Sequence, residues 1–182
     1  MRLFLAIDIP LDTKNSIFVQ LGDLIKQYPD CGWTDVESYH VTFHFFGEVA
    51  TTEKLKARSQ NLFFDCKSFY LYPRSVDLFL RKNITFYIDF LRSKDLEYIQ
   101  KKCGQEFDPM SEEQREFIPH ITVGNYRIPS KQQYFLLRKR LEKMSIEGEF
   151  AVSSLGLYES DLSGGKPYYK LIESFPLVTD IP

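Results

Sequence analysis

Residues 40 to 46 read His-Val-Thr-Phe-His-Phe-Phe, a run almost wholly β-branched or aromatic that ends at Gly47. Such side chains lose rotamer freedom in a helix and pack well on a pleated surface, so the run predicts a strand. Further on, Ile118 to Tyr126 predicts a second strand, with Pro119 near its start. The two strands share a pattern, His40-Val41-Thr42 in one and His120-Ile121-Thr122 in the other, 80 residues apart. The chain holds three histidines, the third being His44, and eight threonines. A Thr two places after a given His is then a roughly 4% event, and two hits among three histidines a roughly 0.6% one, for a motif this short.

A strand turns residues i and i+2 to one face, with Cα atoms about 6.8 Å apart. His40 therefore shares a face with Thr42, and His120 with Thr122. Val41, Phe43 and Phe45, and Ile121 and Val123, fall on the opposite faces as core candidates. If the two strands are neighbours, two imidazoles and two hydroxyls converge. That set suits phosphoester chemistry. A neutral imidazole takes a proton from an attacking water or hydroxyl, an imidazolium gives one to the leaving oxygen, and both roles need a pKa near the working pH. Threonine hydroxyls can donate to the non-bridging phosphoryl oxygens. No metal or cofactor is expected. His40 and His44 have the i, i+4 spacing of a helical metal pair, but on a strand they lie about 13.6 Å apart, too far for one ion.

Elsewhere the chain mixes strand and helix signals without strict alternation. Arg2 to Ile9 reads as a strand. Residues 12 to 28 read as one helix on Ile17, Leu21, Leu24 and Ile25, stopped by Pro29. A helix runs from Thr51 or Thr52 to about Phe64. Segments 68–80 and 84–90 read as strands around the polar turn Arg81-Lys82-Asn83. Ser93 to Cys103 reads as a helix that Gly104 closes. Tyr134, Leu137, Leu141 and Met144 form a helical stripe. Strands at about 149–159 and 167–173 flank the hairpin signal Ser163-Gly164-Gly165. The expected class is α+β with largely antiparallel sheets and flanking helices.

Length sets a prior of about one domain for the 182 residues. With 23 basic and 25 acidic residues the net charge is −2. Bulk positive charge therefore cannot hold this protein to nucleic acid, and any such contact must be local and specific in shape. Cys31, Cys66 and Cys103 are odd in number and widely spaced, which argues against a disulfide framework or a zinc ribbon and fits a reducing, cytoplasmic setting. The apolar start, Met1 to Ile9, is interrupted by Asp8 and reads as a first strand, not a signal peptide. No apolar run is long enough for a membrane span.

The two His-x-Thr strands resemble the two-histidine (2H) phosphoesterase superfamily, and most closely its RNA 2′,3′-cyclic phosphodiesterases, also named 2′-5′ RNA ligases. The similarity runs the whole length. It includes Met1-Arg2-Leu3-Phe4-Leu5-Ala6-Ile7-Asp8, Trp33, and His40-Val41-Thr42-Phe43-His44-Phe45-Phe46-Gly47-Glu48-Val49. It continues through Phe117-Ile118-Pro119-His120-Ile121-Thr122 and Leu157-Tyr158-Glu159-Ser160. The resemblance implies one bilobal domain over residues 1–182, with one motif strand per lobe and the substrate in the cleft between the lobes. It implies an enzyme that hydrolyses RNA 2′,3′-cyclic phosphate ends to 2′-phosphates. His40 is then the proton donor to the leaving 3′ oxygen, His120 the acceptor from water, and Thr42 and Thr122 hold the phosphate. The expected partner is an RNA or nucleotide with a cyclic phosphate end, bound by a monomer. Alternatives are 2′-5′ RNA ligation, a nucleotide cyclic phosphodiesterase with the same site, and a non-catalytic module that binds RNA ends.

Relatives often carry arginine three residues after the second motif threonine; here that position is Asn125, which alternation points away from Thr122, and Arg127 is the candidate replacement if a bulge hosted by Gly124 turns the strand end back toward the cleft. Position 44 is commonly Arg or Lys in relatives. Here it is His44, expected by alternation on the face of His40 and Thr42 as a phosphate contact. The same parity puts Tyr126 with His120, as a base-stacking candidate, and Phe46 with His40. The run Arg138-Lys139-Arg140 is expected to be a solvated helix face.

Overall fold

The computed structural model describes residues 1–108, 117–127, 130–162, 164 and 167–179. Strand β1 (Arg2–Asp8) is followed by helices α1 (Leu11–Gln20) and α2 (Gly22–Gln27), a two-residue strand β2 (Gly32–Trp33) and a 3₁₀ turn at Val36–Ser38. Then come β3 (His40–Glu48), α3 (Glu53–Phe63), β4 (Phe69–Leu71), β5 (Pro73–Leu80), β6 (Ile84–Phe90) and α4 (Lys94–Phe107). The rest is β7 (His120–Tyr126), α5 (Lys131–Leu141), β8 (Phe150–Val152), β9 (Ser154–Asp161) and β10 (Tyr168–Pro176).

The strands build two four-stranded antiparallel sheets, ordered β10-β9-β1-β3 and β2-β7-β6-β5, with β4 and β8 as a separate pair. This is the expected α+β architecture with one His-x-Thr strand in each sheet. Strands β3 and β7 pack against each other where the sheets meet. Helix α3 lies on β10, α4 on α3 and β3, and α5 on β5. Among the described residues no helix is long and apolar enough to cross a membrane.

Burial explains the strand faces. On β1 the odd residues Leu3, Leu5 and Ile7 have no exposure and join a core with Val41, Phe63 and Leu157. On β6 and β7, Phe86, Ile88, Ile121 and Val123 do the same in the second sheet. A core side chain of this size contributes about 1.5–3 kcal/mol by leaving water.

Four boundaries differ from the sequence expectation. The helix expected over 12–28 is broken at Leu21, just before Gly22, a poor helix former. The segment 68–80 is two strands, because Pro73 has no N–H to continue the ladder; β4 pairs with β8 and β5 with β6. The segment 149–159 divides at Ser153, whose carbonyl accepts from Leu177 N. Helix α4 does not stop at Gly104; it runs through it to Phe107, whose ring packs edge-on against Phe46 at 4.9 Å. The Ser163-Gly164-Gly165 turn falls largely outside the described residues, but the strands on either side pair antiparallel, Tyr168 opposite Asp161.

Candidate active site

In the first sheet, β1 and β3 pair with Asp8 opposite His40, Ile7 opposite Val41 and Ala6 opposite Thr42. The ladder then skips Phe43, so that Leu5 faces His44 and Phe4 faces Phe45. This bulge inserts one residue and inverts the alternation beyond it. One face therefore carries His40, Thr42 and Phe45 with Phe4, Ala6 and Asp8. Tyr158 joins them opposite Phe4, and its ring lies so close over Gly156 that a Cβ there would meet it at 2.3 Å.

The second sheet repeats the device. His120 stands opposite Asp89, Ile121 opposite Ile88 and Thr122 opposite Tyr87; the ladder skips Val123, and Gly124 faces Phe86. The bulge brings Asn125 onto the face of His120 and Thr122, opposite Thr85, whose hydroxyl donates to Asn125 Oδ1 at 2.9 Å. Gly124 is held beneath Trp33, since a Cβ would meet that ring at 2.9 Å.

Both histidines are fixed in the same way. His40 Nδ1 lies 2.7 Å from the Ser38 carbonyl, and His120 Nδ1 lies 2.7 Å from the Ile118 carbonyl. A carbonyl oxygen only accepts, so each Nδ1 carries the hydrogen and each Nε2 is the nitrogen left for chemistry. Each ring also has two aromatic neighbours. Phe4 and Tyr169 lie 5.2 and 4.7 Å from His40; Phe79 and Tyr87 lie 5.1 and 5.6 Å from His120. These neighbours keep both imidazoles half-buried. Burial is the main cause that lowers the pKa of each below 6.5, partly opposed by the carbonyl bond. His40 also feels charges: Lys14 and His120 push its pKa down and Asp8 pushes it up.

Thr42 and Thr122 are half-buried beside their histidines on the same faces. Three sequence expectations need correction, those for His44, Phe46 and Tyr126. His44 does not share the face of His40. The bulge at Phe43 puts it opposite Leu5, where it is 7% exposed, 4.7 Å from the Phe46 ring and 5.4 Å from Phe107. Asp108 lies 3.8 Å from its Nε2, and burial lowers its pKa. Phe46 is on that same inner side. Tyr126 does not share the face of His120. Beyond the bulge at Val123 it pairs with the buried Ile84 and packs edge-on against Tyr28 at 5.7 Å. Arg127 is exposed, just past the end of β7.

Several residues of the two faces lie beyond what the motifs predict. Asp8 and Asp89 stand opposite the histidines; Lys14 binds Asp8 at 2.8 Å, and the Arg74 guanidinium and Ser75 bind Asp89. The sequence does carry signals for them. Asp89 interrupts the otherwise apolar end of Ile84–Phe90, and Lys14 lies on the helical stripe of Ile17, Leu21 and Leu24. Among the described residues, no three His, Cys, Asp or Glu side chains come together as metal ligands.

The same fold is found in known proteins, and the sequence matches known ones along most of its length. A model of the 2′-5′ RNA ligase superfamily matches residues 29–164. The RNA 2′,3′-cyclic phosphodiesterase of Methanocaldococcus jannaschii is 30% identical, over 96% of this chain and 100% of its own. The protein of the same name from Thermotoga maritima is 24% identical, over 94% and 93%. The crystal structure of TT0787 of Thermus thermophilus superposes with a TM-score of 0.80 over 100% of both chains at 18% identity, which shows a shared fold. By the family match and by identity to a full-length relative, the chain belongs to the 2′-5′ RNA ligase superfamily.

Proposed function

We propose that this protein hydrolyses the 2′,3′-cyclic phosphate end of RNA to a 2′-phosphate, with His40 and His120 as the two proton-transfer groups. The observation that carries the reading is the matched pair of imidazoles. Each has its Nδ1 held at 2.7 Å by a carbonyl two residues earlier, on strands that meet between the two sheets. Membership of a superfamily with relatives named RNA 2′,3′-cyclic phosphodiesterase supports the substrate class. In this reading residues 1–182 act as one bilobal unit, and each sheet supplies one histidine and one threonine.

Water attacks phosphorus while His120 Nε2 takes its proton. The bond from phosphorus to the 3′ oxygen breaks, and His40 Nε2–H gives its proton to that oxygen. The products are a 2′-phosphomonoester and a 3′-hydroxyl. Thr42 and Thr122 donate to the non-bridging oxygens as charge moves onto them. The depressed pKa of both imidazoles leaves them neutral in the free protein at pH 7. The phosphate anion then draws a proton onto one of them on binding. With an RNA 5′-hydroxyl in place of water at the reverse step, the same groups make a 2′-5′ linkage. Asn125, on the face of Thr122, and Arg127, two residues on, are the proposed further phosphate contacts. His44 and Tyr126 have no part in this site.

The test is an oligoribonucleotide ending in a 2′,3′-cyclic phosphate, followed by product regiochemistry. Catalytic formation of a 2′-phosphate end is expected. Formation of a 3′-phosphate end would overturn the assignment, and binding without turnover would make the protein an RNA-end binding module.

A further inference from the structure

We propose that Lys14 is a positioning residue for His40: its buried ammonium ties together the strand end and the turn that frame the imidazole. This rests on the role of His40 given above. Lys14 is 7% exposed, and a lysine that deep in a fold needs its charge met. Its Nζ donates to Asp8 Oδ1 at 2.8 Å and to the Glu37 carbonyl at 2.9 Å. Those two oxygens belong to the two segments next to His40, the end of β1 and the turn before β3. Asp8 stands directly across the β1–β3 ladder from it, and the same Oδ1 accepts from Ile9 N at 3.0 Å. Glu37 belongs to the Val36–Ser38 turn, and the next carbonyl, that of Ser38, holds His40 Nδ1. One side chain from α1 thus fixes both the end of β1 and the turn that sets the tautomer and aim of His40.

The groups that face His40 are the Phe4 and Tyr169 rings, Lys14 of α1, Asp8 of β1 and His120 of β7. The Lys14 charge disfavours a proton on His40, and Asp8 favours one. A general acid held at a lowered pKa gives its proton more readily to a leaving oxygen. The pair Lys14–Asp8 therefore holds the frame that aims the donor, and its charges adjust a pKa that burial sets first. A lysine that only filled a gap in the core would do neither.

The experiment compares wild type, Lys14→Met, Lys14→Arg, Asp8→Asn and His40→Ala on a cyclic-phosphate oligoribonucleotide. Imidazole NMR follows the titration of His40 in each folded variant that keeps it. Lys14→Met is expected to lower kcat about tenfold or more, leave KM within about threefold, and move the His40 titration up. Lys14→Arg keeps the charge and the donors and is expected to restore kcat to within about threefold of wild type. Asp8→Asn is expected to lower kcat and move the His40 titration down, which also serves if Lys14→Met melts below the assay temperature. Wild-type kcat and an unmoved titration in these variants, with His40→Ala inactive, would overturn the role of Lys14 alone. A fully active His40→Ala would instead overturn the role of His40.

Discussion

Asp89 stands directly across the β6–β7 ladder from His120, as Asp8 stands across the β1–β3 ladder from His40. The two carboxylates differ in depth. Asp89 is 8% exposed and receives the Ser75 N–H and hydroxyl, each at 2.8 Å, together with the Arg74 guanidinium. Asp89→Ala strips the acceptor from a backbone N–H and from a cation at once. The expected loss is about 1.5–3 kcal/mol, the scale of hydrogen bonds to a charged group. Arg74 is largely exposed and can turn to water, which keeps the loss within that range. Urea unfolding of the variant checks this, and an unchanged midpoint would show that Asp89 is not the anchor of β5.

His44 gives a prediction of the opposite kind. It packs between Phe46 and Phe107, and among the described residues its buried Nε2 has no hydrogen-bond partner. His44→Phe is expected to keep kcat/KM within about threefold of wild type, because the side chain lies behind the sheet. A loss of a hundredfold would return His44 to the phosphate site.

Stability should fall in mild acid. Burial lowers the folded-state pKa of His40, His44 and His120 below the unfolded value of 6.5. Above pH 6.5 all three are neutral in both states, and their contribution to stability is complete. As the pH falls below 6.5 the unfolded chain binds protons first, so stability is lost until the folded-state values are passed. Thermal unfolding at pH 7.5 and pH 5 should show the lower midpoint at pH 5. His44→Phe should reduce the difference.

The same shifts set the rate profile. One imidazole must be neutral and the other protonated, so kcat/KM should trace a bell. Both pKa values are lowered, which places its centre below 6.5. A rate that is flat from pH 5 to 9 with chemistry rate-limiting, or a bell centred well above 7, would contradict the assignment.

Much of this is legible in the sequence. The His-x-Thr repeat, the apolar partners Val41 and Ile121, and the α+β class all follow from alternation and residue type. The departures at the site share one physical cause. Unbroken alternation through His40–Phe46 and His120–Tyr126 predicts one set of faces, whereas each strand has a bulge one residue after its threonine. A bulge is set by pairing with the neighbouring strand, which a single strand does not display. For that reason alternation puts His44 and Tyr126 on the wrong faces, and points Asn125 away from Thr122. Lys14 is harder to read, because a lysine on an apolar helical stripe looks like a tolerated exception until its two oxygen partners are seen.

The binding of the phosphate charge can be tested directly. A cyclic phosphate carries one negative charge, and Arg127 is the cation nearest in sequence to the Thr122 strand. Arg127→Ala is expected to lower kcat/KM about tenfold, or about 1.4 kcal/mol. Asn125→Ala removes only a neutral group already engaged with Thr85 and should cost much less. Equal, small effects would leave Thr42 and Thr122 as the main phosphate contacts.

The most direct measurement is the single-turnover rate on a cyclic-phosphate oligoribonucleotide, in EDTA, for wild type, His40→Ala and His120→Ala. The two-histidine mechanism requires a wild-type rate that EDTA leaves unchanged and a loss of about 10²–10⁴ in each variant. Either variant turning over at the wild-type rate would contradict it. So would a wild-type rate that drops tenfold in EDTA and returns with a divalent ion.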